Sequence, residues 1–206
     1  QLPYTDRFIY VTAEEEALTL MVAAGEIAIQ ERFVNTLENR ALFQESAESS
    51  ELRFVEQISG HALHTAIWLN LTHQDPVINE LFNNKNFRIA LSHAINRQEL
   101  IDVVFFGQAE PAQPSPPPAS PLYNEQLATQ YLEYDPDTAN QMLDALLPDK
   151  DRDGIRLLPN GEQLALLCQT QSRHLDSMEL VKAYWEEVGV RLEVRQESNA
   201  LINERR

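Results

Sequence analysis

The sequence predicts an α/β protein, a mixed β-sheet covered by helices. Three observations carry that expectation. Short aromatic and β-branched runs alternate with amphipathic stretches along the chain. Two strand candidates are linked by little more than Ser59-Gly60, a connection too short for anything but antiparallel pairing. The last quarter reads strand, helix, strand from Gln163 to Arg195.

Each element follows in order. Arg7–Val11 is strand-like in composition. Thr12 and Glu15 have the spacing of a capping box, opening a helix that runs to Ala24 and stops at Gly25. A short apolar stretch, Ile27–Ile29, precedes a helix over about Arg32–Ser46. Glu51–Ile58 and Ala62–Leu71 are the two paired strand candidates. Pro76 starts a short helix, Val77–Phe82. The longest helix is expected over Phe87–Phe105 with Asn86 as its cap, because Phe87, Leu91, Ala94, Ile95, Ile101, Val104 and Phe105 recur at helical spacing.

Between Gly107 and Pro121 stand Pro111, Pro114, Pro116, Pro117, Pro118 and Pro121, which forbid helix and central strand alike. That stretch is either a linker or a loop laid across a surface. Asp135-Pro136 is a cap followed by proline in the first turn, and Ala139, Met142, Leu143, Leu146 and Leu147 form the apolar face behind it. Asp149–Gly161 is an acidic turn region. Gln163–Gln169 is apolar at consecutive positions, as for a strand covered on both faces. Ser172 is placed to cap a helix bearing Leu175, Met178, Val181, Trp185 and Val188 and ending at Gly189. Val190–Arg195 alternates, as for a strand with one wet face.

Composition narrows the function. With 206 residues, 43% hydrophobic and 23% charged, the chain can bury a core and is neither fibrous nor wholly disordered. A formal charge of −16 argues against nucleic acid, whose phosphates it would repel. No apolar run reaches the roughly 20 residues that span a bilayer. A single cysteine, Cys168, permits no internal disulfide and no multi-cysteine zinc site. Neither a signal peptide nor an initiating methionine opens the chain, so both ends read as cut.

Few residues invite chemistry. Asp149, Asp151, Asp153 and Gly154 match the opening of a calcium loop, but loop position twelve is Asn160 rather than glutamate. Cys168 lies in an apolar strand, where a thiol is usually inert. His61, His64, His73 and His93 are scattered and read as structural or solvent-facing. Arg173 and His174 differ. They fall where a buried strand gives way to a helix, the place where ligands gather in such sheets, and a helix N-terminus adds partial positive charge there. In so acidic a chain they form a candidate site for a carboxylate, or else project into solvent.

The stretch Asn86-Phe-Arg88-Ile-Ala-Leu-Ser-His-Ala94-Ile-Asn-Arg97, running on to Val103-Val104 and Gly107, resembles the extracellular solute-binding proteins of family 5. These are the peptide, dipeptide and nickel receptors of ABC importers. Ala23–Ile27, the proline-rich stretch, Tyr134-Asp-Pro136 with Ala139 and Leu143, Asp151–Gly154 with Asn160-Gly161, and Val188-Gly189-Val190 resemble further segments of that family in its order. A departure is Ala28, where the family often has aspartate.

The resemblance implies one lobe of a type II clamshell binding protein, with residues 1–206 forming most of that lobe and the other lobe absent. It implies capture of a small solute, an oligo- or dipeptide first and an oligosaccharide second, outside the cytoplasmic membrane, for delivery to an ABC permease. Neither a cofactor nor catalysis is expected, and the isolated lobe should bind weakly. In some family members the stretch matching Gln169–His174 lends a basic residue to the ligand's carboxylate, which selects Arg173 and His174 as ligand-binding residues. An oligosaccharide receptor would instead need aromatic platforms, for which Trp68, Tyr123 and Trp185 are the candidates. From other classes come a calcium-dependent interaction module at Asp149–Asp153 and, least favoured, an enzyme using Cys168.

Overall fold

A computed structural model describes residues 4–55 and 63–204, and the chain divides into two units, 1–58 and 59–206. In the first, α1 (Glu15–Ala23) and α2 (Leu37–Ser46) enclose a small core of Leu18, Val22, Val34 and Phe43. α1 stops as the sequence predicts. Gly25 sits at φ +76°, its N–H donates to the Val22 carbonyl (3.0 Å), and the Glu26 N–H donates to that of Met21 (2.9 Å).

The start of α1 is a correction. Thr12 caps nothing, and Glu14 is the cap residue without a side-chain bond; Glu15 and Glu16 in the first turn complement the helix dipole instead. α2 begins at Leu37 rather than near Arg32, because the Thr36 hydroxyl accepts the Asn39 N–H (3.3 Å).

Arg7–Val11 is irregular and exposed, with Tyr10 91% accessible. Strand propensity needs a neighbouring strand to satisfy the backbone, and no described residue supplies one. Residues 51–55 and 63–71 also lack strand structure. The Ser59-Gly60 link and the rest of that expected hairpin, His61 included, lie outside the described residues.

The second unit holds the larger core. α3 (Pro76–Asn83) is capped by Asp75, whose carboxylate accepts the Val77 and Ile78 N–H groups. The expected long helix is two: α4 (Lys85–His93), capped by Asn84, and α5 (Arg97–Val104), capped by Asn96. The Asn96 side chain accepts the Glu99 N–H (3.2 Å), competing with helix continuation. Arg97 then turns back to donate to the Ser92 carbonyl (2.9 Å) at the end of α4 and to the Leu132 carbonyl (3.3 Å) before α7, tying the break to both. Apolar periodicity survives such a break because both helices face the same core.

After a short α6 (Glu125–Thr129), α7 (Pro136–Asp144) starts at the expected Asp135 cap. Phe87, Ala90 and Leu91 of α4 meet Ala139 and Leu143 of α7, all buried in one cluster. The proline-rich stretch holds neither helix nor strand. Of the two alternatives it is a laid-down loop, since the Gln113 N–H donates to the Ala128 carbonyl (2.8 Å) and its side-chain amide to Ser92 Oγ (3.0 Å).

The sheet of the described residues is a parallel pair, β1 (Ala165–Thr170) and β2 (Arg191–Gln196), joined by α8 (Leu175–Glu187), with α9 (Asn199–Glu204) following. Antiparallel pairing is confined to isolated bridges, Lys150 with Arg156 and Leu157 with Gln163. α8 buries Met178, Val181 and Trp185, as its spacing predicts. β1 is covered on one face only. Leu166 is buried while Leu167 is 51% exposed, so consecutive apolar residues here do not mark a doubly covered strand.

Between α7 and β1 the acidic turn carries a fully buried arginine. Arg156 donates from Nε to the Val188 carbonyl (2.9 Å), from one terminal nitrogen to the Leu147 carbonyl (2.7 Å) and Asp144 Oδ1 (2.7 Å), and from the other to Asn140 Oδ1 (3.0 Å). One side chain thereby joins α7, the turn and the end of α8.

Candidate functional site

The two parallel strands end together, and the Glu197 N–H donates to the Thr170 carbonyl (2.9 Å) just past their last pair. Beyond that point lies a polar recess of ≈ 530 Å³ lined by Gln171, Ser172, Gln196, Glu197 and Ser198. Its position at the carboxyl ends of parallel strands is where an open α/β sheet leaves unpaired backbone and room for a ligand.

Arg173 and His174 directly follow the lining residue Ser172, in a 3₁₀ turn (Ser172–His174) inserted between β1 and α8, and are not themselves among the lining residues. That turn corrects the expected cap: His174, not Ser172, precedes α8, and neither gives it a side-chain capping bond. Arg173 Nε lies 3.0 Å from His174 Nε2, and His174 Nδ1 lies 3.1 Å from Thr65 Oγ1. Thr65 Oγ1 is in turn 3.2 Å from His64 Nδ1. The His64 ring stands edge-on to His174 (5.5 Å between centroids) and to Phe105 (4.9 Å).

Burial, the adjacent Arg173 guanidinium and then His64 push the His174 pKa down to about 4. Burial first and Arg173 second lower that of His64 too. A histidine kept neutral in the folded chain ties stability to pH. The His174 contribution is complete above the ordinary 6.5 and is lost as pH falls toward about 4, where the folded chain also takes up the proton. The urea midpoint should therefore fall across that window, and less steeply in His174→Asn; parallel slopes would show that His174 is not linked to folding.

Sequence reading singled out Arg173 and His174 and missed Thr65 and the recess residues. Thr65 has no local motif. Only the irregular path of 63–71, with Ile67 and Leu69 packed against the core, brings it there. Gln196–Ser198 were findable in principle, as the residues just past the second parallel strand.

The other candidates resolve differently. Trp185 is core, its Nε1 donating to the Leu91 carbonyl (3.1 Å), whereas Trp68 is 74% exposed. The Asp151 carboxylate is occupied within its own turn, accepting the Asp153 and Ile155 N–H groups (each 2.9 Å) and the Gln163 amide. Asp153 pairs with Arg152 (3.7 Å), and no three His, Cys, Asp or Glu side chains converge on a metal position among the described residues. Cys168 is half-buried in β1, and burial raises its thiol pKa. Native-state thiol labelling should be slow and should speed up on denaturation; equal rates would show an open, reactive sulfur.

No helix among the described residues is long and apolar enough to cross a membrane. The model of bacterial extracellular solute-binding proteins, family 5 (middle), matches residues 1–206. Among solved structures, the oligopeptide-binding protein OppA shares 36% identity at a TM-score of 0.74, over 94% of this chain and 32% of its own. The oligopeptide-binding protein AppA from Bacillus subtilis, bound to a nonapeptide, shares 20% identity at 0.68, over 93% of this chain and 36% of its own. One from Thermus thermophilus with a pentapeptide shares 24% at 0.53, over 61% and 22%. A search of curated proteins found no match. The chain thus spans about a third of the length of the first two structures it resembles. By the match along its whole length, it belongs to the bacterial extracellular solute-binding proteins of family 5.

Proposed function

We propose that this chain forms most of one lobe of a hinged, two-lobed receptor. The receptor captures an oligo- or dipeptide outside the cytoplasmic membrane and passes it to the permease of an ABC importer, with no catalytic step. Family membership and the likeness to OppA support the receptor class. The observation that carries the peptide reading is local: Arg173 and His174 stand at the carboxyl end of the parallel pair, beside a polar recess, in a chain of net charge −16. That acidic chain disfavours anions in general, so the Arg173 guanidinium, beside a His174 held neutral, serves a carboxylate that is specifically recognised. Closure of two lobes over the solute would supply most of the affinity and would present the closed form to the permease.

Two measurements test this. Calorimetric titration of the 206-residue chain with tri-alanine should show binding no tighter than millimolar, since one lobe encloses only part of a ligand; tight binding would sink the shared-cleft reading. In a nuclear magnetic resonance titration, tri-alanine should shift the Arg173 side-chain signals, and the same peptide with an amidated C-terminus should not. Shifts on adding maltotriose, with none on adding tri-alanine, would replace the peptide with a sugar.

A further inference from the structure

We propose that Tyr184, Tyr134, Glu99 and Glu187 form a second ligand site, away from the recess, which takes an organic cation: the ammonium or guanidinium head of a lysine or arginine side chain, or of a free amine. The site stands or falls independently of the peptide reading. It lies toward the far end of α8, where Tyr184 follows His174 by ten positions. At a rise of 1.5 Å per residue that is about 15 Å along the helix axis.

Four groups meet there. α5 packs against α8, and Tyr184 and Glu187, three positions apart on α8, share a face of it. Glu99 stands in the first turn of α5, its Oε2 held by the Asn96 side-chain amide (3.2 Å). Tyr134, just ahead of α7, brings its ring to 6.4 Å from that of Tyr184, centroid to centroid. Tyr184 is only 6% exposed and its hydroxyl is buried without a hydrogen bond of normal geometry, whereas Tyr134 and both carboxylates reach solvent. Burial first, then Glu99 as acceptor and as charge, then Tyr134 and Glu187, raise the Tyr184 pKa. Burial, Glu187 and Glu99 raise that of Tyr134. Both carboxylates thus act on the two phenols, and Glu99 is the one that the Tyr184 hydroxyl faces.

A buried hydroxyl without a partner is costly, and two carboxylates beside it without a cation are costly again. Among the described residues neither Glu99 nor Glu187 takes part in an ion pair. The cations of the neighbouring helices are engaged elsewhere: Arg97 with the Ser92 and Leu132 carbonyls, Lys182 with Glu179 (3.5 Å), and Lys85 over the Tyr131 ring (6.0 Å). A cation seated against the rings would complete every group. Its N–H donates to the Tyr184 oxygen, the Tyr184 O–H donates to Glu99, the carboxylates balance its charge, and the aromatic faces attract it. A hard divalent metal fits poorly, because two carboxylates fall short of the oxygen shell of about six that it takes. Aromatic walls suit a nitrogen that carries an alkyl stem. The net charge of −16 favours the approach of any cation.

The test is a titration of the 206-residue chain with n-butylammonium chloride, followed at the tyrosine ring signals by nuclear magnetic resonance, with sodium chloride at equal ionic strength as the reference. We expect saturable shifts at Tyr134 and Tyr184 that sodium does not produce. Tyr184→Phe should weaken binding about tenfold, the loss of one hydrogen bond to a charged group, and Glu99→Gln with Glu187→Gln should abolish it. Tyr184→Phe should leave the urea midpoint unchanged, since the hydroxyl holds no bond in the uncomplexed chain. Nα-acetyl-lysine methylamide binding more tightly than butylammonium assigns the site to a partner's side chain, and the reverse order assigns it to a free amine. Equal shifts with sodium, or none at these two rings, overturn the proposal. A Tyr184→Phe chain that binds as wild type does and unfolds at lower urea also overturns it, because the hydroxyl would then serve Glu99 within the fold. None of these outcomes depends on whether tri-alanine binds near Arg173.

Discussion

Replacing Arg156 with methionine is expected to destabilise the second unit by about 3–5 kcal/mol, the range seen when one member of a buried charged network is removed. Buried ion pairs are often worth little, because an apolar substitute of similar volume removes the desolvation cost along with the attraction. Arg156 differs in its partners. Its side chain is fully buried, while that of Asp144 is 56% exposed and stays hydrated when left alone. The acceptors that cannot escape are the carbonyls of Val188 and Leu147, whereas the Asn140 amide oxygen keeps Lys150 Nζ as a donor (3.3 Å). Methionine fills part of the space and donates to none of them, and an orphaned buried acceptor costs about 1–3 kcal/mol. Asp144→Asn should cost under about 1 kcal/mol, since an exposed partner contributes little. Chemical denaturation of both variants checks the pair. A loss below about 1 kcal/mol in Arg156→Met would mean that water reaches those carbonyls.

The second large effect is expected at Gly189. It ends α8 at φ +81°, and a Cβ there would lie 2.7 Å from the Gly154 carbonyl oxygen and 3.0 Å from Arg156 Cγ. The left-handed conformation alone costs a non-glycine residue about 1–2 kcal/mol. The contact adds to this, because the nearest obstacle is backbone rather than the end of a flexible side chain. Gly189→Ala should therefore lose about 3 kcal/mol. Gly161→Ala is the control. It shares a φ of +84° but would meet nothing within 4 Å, so it reports conformation without collision. Equal losses in the two variants would remove the close approach from the explanation.

These two positions also show what a one-dimensional reading can reach. Gly189 was legible as a helix stop, because a left-handed residue after the last turn is a local requirement. That the glycine also lets the 151–156 turn approach was not legible, since Gly154 and Arg156 arrive from more than thirty positions away. The Pro76, Asp135 and Gly25 boundaries were read correctly for the same local reason. Arg7–Val11 was misread because a strand is a property of two segments, and propensity describes one. The Phe87–Phe105 helix was read as continuous because Asn96 and Arg97 are ordinary helix-surface residues until their side chains are seen capping α5 and bonding the Ser92 carbonyl of α4. At the candidate site, Arg173 and His174 could be found from the strand-to-helix junction. Thr65 could not, since it reaches His174 across 109 positions of chain.

The buried guanidinium bears on motion. Its charge can leave water only when α7, the turn and the end of α8 are all seated around it, and withdrawing any one of them would strand that charge in an apolar medium. Sliding or flexing among these three segments therefore costs the bonds that hold the guanidinium. In any displacement that the proposed capture of a solute brings, these three segments are expected to move together.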